Sequence, residues 1–214
     1  MDPTWSHPFT ALVSGPTQSG KSVFVERFIN NCNHMMHPPP DEIVWCYGSY
    51  QPMYDRLKEK NVKFIEGIPD FQEWDIDTRR LVILDDLMHE ANRNISQLFT
   101  KGSHHRNISV IMIVQNLFSS NKEHRTISLN SSYMIIFKNV RDKTQITILG
   151  KQMFPGQASL LTEAYKSATS EPYGYLLIDL KTTTPAHLRL RTNIFPGEIQ
   201  SVFVPKNFTS MTTR

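Results

Sequence analysis

The sequence predicts an α/β fold, a mostly parallel sheet flanked by helices. Three observations carry that expectation. Short apolar runs alternate along the chain with segments of helical spacing. A G-x-x-x-x-G-K-S stretch at residues 15–22 sits between one such run and one such segment. A run of four apolar residues, Leu81-Val82-Ile83-Leu84, ends in the carboxylates Asp85 and Asp86, the form of a strand covered on both faces that emerges at a ligand crevice.

Phe9-Thr10-Ala11-Leu12-Val13 is the first predicted strand, and Val23-Phe24-Val25-Glu26-Arg27-Phe28-Ile29 has the apolar spacing of a helix face. Between them Gly15, Pro16, Thr17, Gln18, Ser19, Gly20, Lys21 and Ser22 form a phosphate-binding loop. The two glycines permit dihedrals that turn successive backbone N–H groups inward, towards phosphate oxygens. Lys21 then reaches the β and γ phosphates, the Ser22 hydroxyl ligates Mg²⁺, and the helix presents its positive end to the anion. ATP with Mg²⁺ is the expected ligand. The competing reading is a glycine-rich turn that binds nothing, which leaves the Lys-Ser pair and the strand-to-helix context without a reason.

At the tip of the next buried run, Asp85 is the expected Mg²⁺ partner. Asp86 stands where many ATPases carry a glutamate that polarises the attacking water. Aspartate is one methylene shorter, so either the loop approaches the γ-phosphate more closely, or Glu90 assists, or hydrolysis is slow. The pair also suits the N-cap of a following helix. A third buried run, Ser109-Val110-Ile111-Met112-Ile113-Val114, ends in Gln115-Asn116. An amide there is placed to hydrogen-bond the γ-phosphate or its attacking water, and Gln115 is taken as that group; a simple capping amide is the alternative.

Further strands are expected at 42–47, 62–65, 133–137, 175–180 and 188–194, and helices at 52–60, 92–101, 143–149 and 157–168. Pro38-Pro39-Pro40 stops the first helical region. The Leu188-Arg189-Leu190-Arg191 alternation puts both arginines on one strand face, as an exposed edge strand would. A hydrolysis motor usually needs one more cation, often supplied by an adjacent subunit; Arg106 is the first candidate, in the polar loop before the Gln115 strand, with Arg125 and Arg141 as alternatives.

With 214 residues, 39% hydrophobic and 20% charged, the chain suits a single ATPase domain over 1–214 with a frayed tail from about residue 207. No apolar run approaches the roughly 18 residues of a membrane span, and Met1-Asp2-Pro3-Thr4 lacks a basic stretch leading into an apolar one, so an intracellular, non-membrane protein is expected. Cys32 and Cys46 lack C-x-x-C spacing and read as reduced core thiols. The net charge of +3 conceals a basic segment, residues 101–151, with eight Lys and Arg against two Asp and Glu. That segment either meets a polyanion or is an ordinary solvated face. His104, His105 and His124 fall within it.

Taken together, the Pro8-Phe9-Thr10 lead into residues 15–22, the 81–86 strand, and His104-His105-Arg106-Asn107-Ile108-Ser109 running into Gln115-Asn116 resemble the genome-packaging ATPases of the FtsK/HerA superfamily. The likeness is to those of Polinton or Maverick virus-like elements and related double-stranded DNA viruses, and it covers residues 8 to about 118. The resemblance implies a P-loop NTPase of the RecA/ASCE type, ATP-driven translocation of double-stranded DNA into a preformed capsid through its portal or vertex, and a homo-oligomeric ring, pentamer or hexamer, with nucleotide between subunits. It also implies association with assembling virions in the host nucleus or cytoplasm. Asp86 departs from the family's usual glutamate. A GTPase is disfavoured because Asn121-Lys122-Glu123-His124 lacks the aspartate of a base-reading motif, whereas a P-loop small-molecule or nucleoside kinase and a non-catalytic nucleotide-binding scaffold remain alternatives.

Overall fold

The computed structural model describes residues 4–87, 93–118 and 122–205. In chain order the strands are β1 (Trp5–Ser6), β2 (Thr10–Ser14), β3 (Met36–His37), β4 (Glu42–Tyr47), β5 (Val62–Glu66), β6 (Arg80–Asp85), β7 (Ile108–Val114), β8 (Tyr133–Phe137), β9 (Tyr175–Asp179), β10 (Leu190–Thr192) and β11 (Ser201–Val202). The helices are α1 (Lys21–Asn30), α2 (Cys32–Met35), α3 (Tyr54–Lys58), α4 (Arg93–Gln97), α5 (Ser103–His105), α6 (Lys122–Leu129), α7 (Thr144–Met153) and α8 (Ala158–Ala168). A π-helical turn, Leu98–Gly102, joins α4 to α5.

Nine strands form one sheet in the order β11-β10-β9-β8-β2-β7-β6-β4-β5. The six from β8 to β5 are parallel, and β9, β10 and β11 extend the sheet antiparallel beyond β8. This is the α/β architecture the sequence predicts, with an antiparallel flank added. The buried runs alternate in facing, as a two-residue period requires. Val110, Met112 and Val114 of β7 join Ile95, Ile127, Ile146, Leu149 and Leu161 in one apolar layer. Ile111 and Ile113 join Phe24, Val25 and Phe28 of α1 in the other. Both layers must be covered, which is why β7 is buried along its whole length.

Strand β2 marks the switch point of the topology. The chain leaves β2 through α1 to build β4, β5, β6 and β7 on one side, and β8 pairs on the other. A crevice outside the carboxyl ends of the strands follows at such a point.

Several elements differ from the sequence expectation, each for a physical reason. The 92–101 helix is present as α4 plus the π turn. Helix α6 was not expected, since its large apolar residues are only Ile127, which is buried, and Leu129, which is exposed, so no apolar stripe shows. The last long strand shortens from 188–194 to β10, preceded by a 3₁₀ turn, Ala186–Leu188. The arginine pair there is not an exposed edge, and this corrects the alternation argument. Arg191 is buried and ion-paired with Asp179 at 2.9 Å, the two side chains being 7% and 5% exposed, while Arg189 precedes the strand and donates to the Asp179 carbonyl. Cys32 and Cys46 are buried free thiols, and burial pushes the Cys46 pKa up to about 12. The expected tail from residue 207 lies outside the described residues.

The Asp179–Arg191 pair ties β9 to β10, and removing one partner strands a charge in the core. Arg191→Ala is expected to destabilise the fold by about 3–5 kcal/mol, read as a lowered urea midpoint. Replacement of both residues by apolar ones of similar volume should recover most of that loss.

Candidate nucleotide site

At the carboxyl edge of the sheet an open cleft of about 770 Å³ is lined by Thr17, Gln18, Gly20, Lys21 and Ser22 on one side and Asp85, Asp86, Gln115 and Asn116 on the other. The register explains the assembly. Asp85 lies level with Ile113, and Ile113 with Val13, so the acidic tip stands two strand spacings, about 10 Å, from the strand that feeds the loop.

The loop closes on itself through few bonds. The Gly15 amide donates to the Val114 carbonyl at 3.2 Å, and the Ser19 amide to Pro16 at 3.2 Å. Gly20 has φ +104°, and a Cβ on Gly15 would stand 2.6 Å from Ser19 Oγ and 2.7 Å from Phe137 Cβ, so both glycines are required by geometry. Lys21 Nζ donates to the carbonyls of Gly15 (2.7 Å) and Pro16 (2.9 Å). Burial lowers the Lys21 pKa, and the charges of Asp85 and Asp86 oppose that shift.

Two features leave other donors of the loop open among the described residues. Ser19 Oγ is buried with no hydrogen-bond partner among them, and α1 opens at Lys21 with no side-chain cap, leaving its first amides open to an anion. A triphosphate fits that cradle. The hard oxygen donors Ser22 Oγ and the Asp85 carboxylate suit Mg²⁺, which takes one or two protein ligands and completes its shell with phosphates and water.

Asp85 is buried at the end of β6, and burial raises its pKa. Tyr54 Oη donates to Asp85 Oδ2 at 2.9 Å, which acts in the opposite direction. Tyr54 is itself fully buried and packs against Trp45, Tyr47 and Phe64. Its role is invisible in sequence because 31 residues separate it from Asp85. Asp86 is exposed in the cleft at φ +57°, a left-handed conformation that aspartate tolerates. Gly48 accommodates it, since a Cβ there would lie 2.9 Å from the Asp86 carbonyl. Glu90, the alternative catalytic carboxylate, lies outside the described residues.

Gln115 leaves β7 exposed in the cleft. Its neighbour Asn116 is engaged instead by Gln145 Nε2, at 3.5 Å, and Gln145 also accepts from the Leu117 amide at 2.8 Å. His124, assigned from sequence to the basic surface, is instead 1% exposed; it lines the same cleft, and among the described residues neither ring nitrogen has a hydrogen-bond partner. Burial lowers its pKa.

The candidate arginines separate. Arg106 lies before β7, at the amino edge of the sheet, opposite the phosphate loop of its own chain. Its Nη1 donates to the carbonyls of Phe71 (3.1 Å) and Gln72 (3.2 Å). Arg125 and Arg141 are exposed, on α6 and after β8, nearer the carboxyl edge.

Two solved structures of the genome packaging NTPase B204 from Sulfolobus turreted icosahedral virus 2 share this architecture. The complex with ATP-gammaS matches with a TM-score of 0.55 over 92% of this chain and 97% of that one, at 13% identity. The complex with AMPPCP matches with a TM-score of 0.57 over 96% and 100%, also at 13% identity. The chain has a P-loop NTPase fold. No family model matches it, and no curated protein matches it in sequence.

Within this P-loop NTPase fold, Tyr54 positions the candidate metal carboxylate. Tyr54→Phe keeps the aromatic packing but removes the donor, and should raise the Mg²⁺ concentration that half-saturates ATP binding by about tenfold or more. The stability loss should stay near 1–3 kcal/mol, the scale of one unsatisfied buried oxygen. An unchanged Mg²⁺ requirement would assign the metal to other ligands.

Proposed function

We propose that this chain is an ATP-hydrolysing motor that moves double-stranded DNA into a preformed capsid, acting as a homo-oligomeric ring, pentamer or hexamer, with nucleotide between subunits. The convergence of the phosphate loop, Asp85, Asp86 and Gln115 in one cleft carries this reading. The architecture shared with B204, a packaging NTPase holding ATP analogues, supports it. So does the resemblance of residues 8 to about 118 to the packaging ATPases of Polinton or Maverick elements. The ring would work at a capsid portal or vertex, in association with assembling virions inside the host. Among the described residues no helix is long and apolar enough to cross a membrane.

In this reading the loop amides and Lys21 hold the triphosphate, with Lys21 exchanging its bonds to the Gly15 and Pro16 carbonyls for phosphate oxygens. Mg²⁺, held by Ser22 and Asp85, would offset the charge on the β and γ phosphates. Asp86 accepts the proton of the attacking water and Gln115 orients that water. Arg106 of one subunit would serve the next subunit's γ-phosphate. Its position away from its own cleft is compatible with action across a boundary.

The DNA-contacting surface is assigned to the exposed cations of the basic segment, Lys122, Arg125, Lys138, Arg141, Lys143 and Lys151. They fall on or around α6 and α7, which follow the carboxyl ends of β7 and β8. A motor that accepts every sequence of its genome must grip backbone phosphate, through contacts that weaken steeply with salt. Double-stranded DNA is therefore expected to stimulate phosphate release, independently of sequence and less at higher salt. Charge reversal at Lys122 and Lys143 should reduce the stimulation and spare the basal rate. A protein that ignores DNA at low salt but phosphorylates a nucleoside would be a kinase instead.

Subunit mixing tests the arginine. Arg106→Ala and Lys21→Ala proteins should each be inactive, while co-assembled rings should regain part of the rate, because some boundaries then hold both intact groups. Full activity of Arg106→Ala alone, without rescue in verified mixed rings, would transfer the role to Arg125 or Arg141.

A further inference from the structure

We propose that Tyr173 is the platform on which the nucleotide's base stacks, completing the site at the end remote from the carboxylates. The inference deepens the ATP reading above and rests on it. Asp85, Asp86 and Gln115 all lie on the β7 and β6 side of β2. A triphosphate whose terminal phosphate faces them must extend its nucleoside towards the other side of β2, where β8 and β9 stand. There the turn entering β9 brings Tyr173 against the loop. A Cβ on Gly20 would meet Tyr173 Cδ1 at 3.2 Å and Tyr173 Cβ at 3.4 Å.

Tyr173 lines the cleft, and the residue is 72% exposed. It takes part in none of the aromatic pairs among the described residues. Val23, in the first turn of α1, also lines the cleft and is 54% exposed, so the cleft offers a second open apolar side chain on the helix that follows the loop.

The backbone holds Tyr173 where relaxation would not. Its φ is +61°, a left-handed conformation that is costly for a bulky residue and that concentrates at ligand clamps. The surrounding turn enforces it. The Gly174 amide donates to the Glu171 carbonyl at 3.1 Å, and a Cβ on Gly174 would stand 2.5 Å from the Ala168 carbonyl. A flat, exposed ring fixed beside a phosphate cradle matches a purine, whose large π face gains most from stacking; a tyrosine supplies this without choosing between adenine and guanine.

Calorimetric titration of Mg²⁺ complexes of ATP, CTP and inorganic tripolyphosphate into wild type, Tyr173→Ala and Tyr173→Phe separates base from phosphate. Tyr173→Ala should weaken ATP about tenfold, the scale of one lost base stack, and leave tripolyphosphate unchanged. Tyr173→Phe should stay within about twofold of wild type, and the preference of wild type for ATP over CTP should shrink in Tyr173→Ala. Unchanged ATP affinity in Tyr173→Ala overturns the assignment. Equal losses for ATP and tripolyphosphate overturn it too, since the ring would then act by shaping the loop. Wild-type protein that binds tripolyphosphate but not ATP would refute the stack alone, whereas binding of neither would refute the nucleotide site and the stack with it.

Discussion

Strand β7 is paired on both edges, to β2 and to β6, and buried along all seven residues. This pairing fixes the rest. It spaces the phosphate loop from the acidic tip by one inserted strand and brings the tip of the inserted strand itself, Gln115, between them. A slip of one residue would turn Ile111 and Ile113 into the opposite apolar layer and withdraw Gln115 along the strand by about 3.3 Å. The core therefore enforces the register that the chemistry needs. Parallel pairing also obliges the chain to cross over between strands, and those crossovers supply the helices that cover both faces.

What was legible in the sequence is what is local. Residues 15–22, 81–86 and 109–116 declare themselves through contiguous composition, and the structure brings their tips into one cleft. Tertiary contacts carry the remainder. Asp85 depends on Tyr54, whose sequence position marks it only as part of a helix. His124 reads as one more basic-segment residue until α6 turns it inward. Arg191 reads as exposed because alternation marks a face without saying what covers it, and Asp179 is 12 residues away. Arg106 precedes the strand whose far tip carries Gln115, so in a parallel sheet its place at the amino edge follows from sequence order, whereas its bonds to the Phe71 and Gln72 carbonyls do not.

The region after residue 118 builds the wall behind the phosphate loop. Phe137, the last residue of β8, contacts the positions where Gly15 and Gly20 would carry a Cβ, at 2.7 and 3.3 Å. Tyr165 of α8 pins that strand end, donating to the Phe137 carbonyl at 3.0 Å and accepting from the Asn139 amide at 2.7 Å. At the other end of β8, Tyr133 stacks on Trp5 with ring centroids 4.0 Å apart. The amino-terminal motif is thus shaped by packing with residues more than a hundred positions away, and substitutions in α8 or β8 should reach nucleotide binding without touching nucleotide.

Local rules of conformation and hydrogen bonding are broken unevenly across the molecule. Among the described residues the non-glycine positions with positive φ include Gln18, Asp86 and Tyr173, all of which line the cleft. Again among the described residues, the buried side-chain atoms without hydrogen-bond partners include Ser19 Oγ in the loop and both ring nitrogens of His124, which lines the cleft. A core selected only for stability would remove such costs, because each unsatisfied buried group is worth about 1–3 kcal/mol and each strained backbone residue about the same. The others, including Asn61, Asn107 and Asn193 among the positive-φ residues and the Trp5 and Trp45 indoles among the unpartnered groups, are scattered, whereas these fall together at one cleft, where such costs are offset by ligand chemistry. That argument uses no motif. It reaches Gln18 and Ser19 of the G-x-x-x-x-G-K-S loop from a different direction, and it adds Asp86, Tyr173 and His124, which the pattern does not contain.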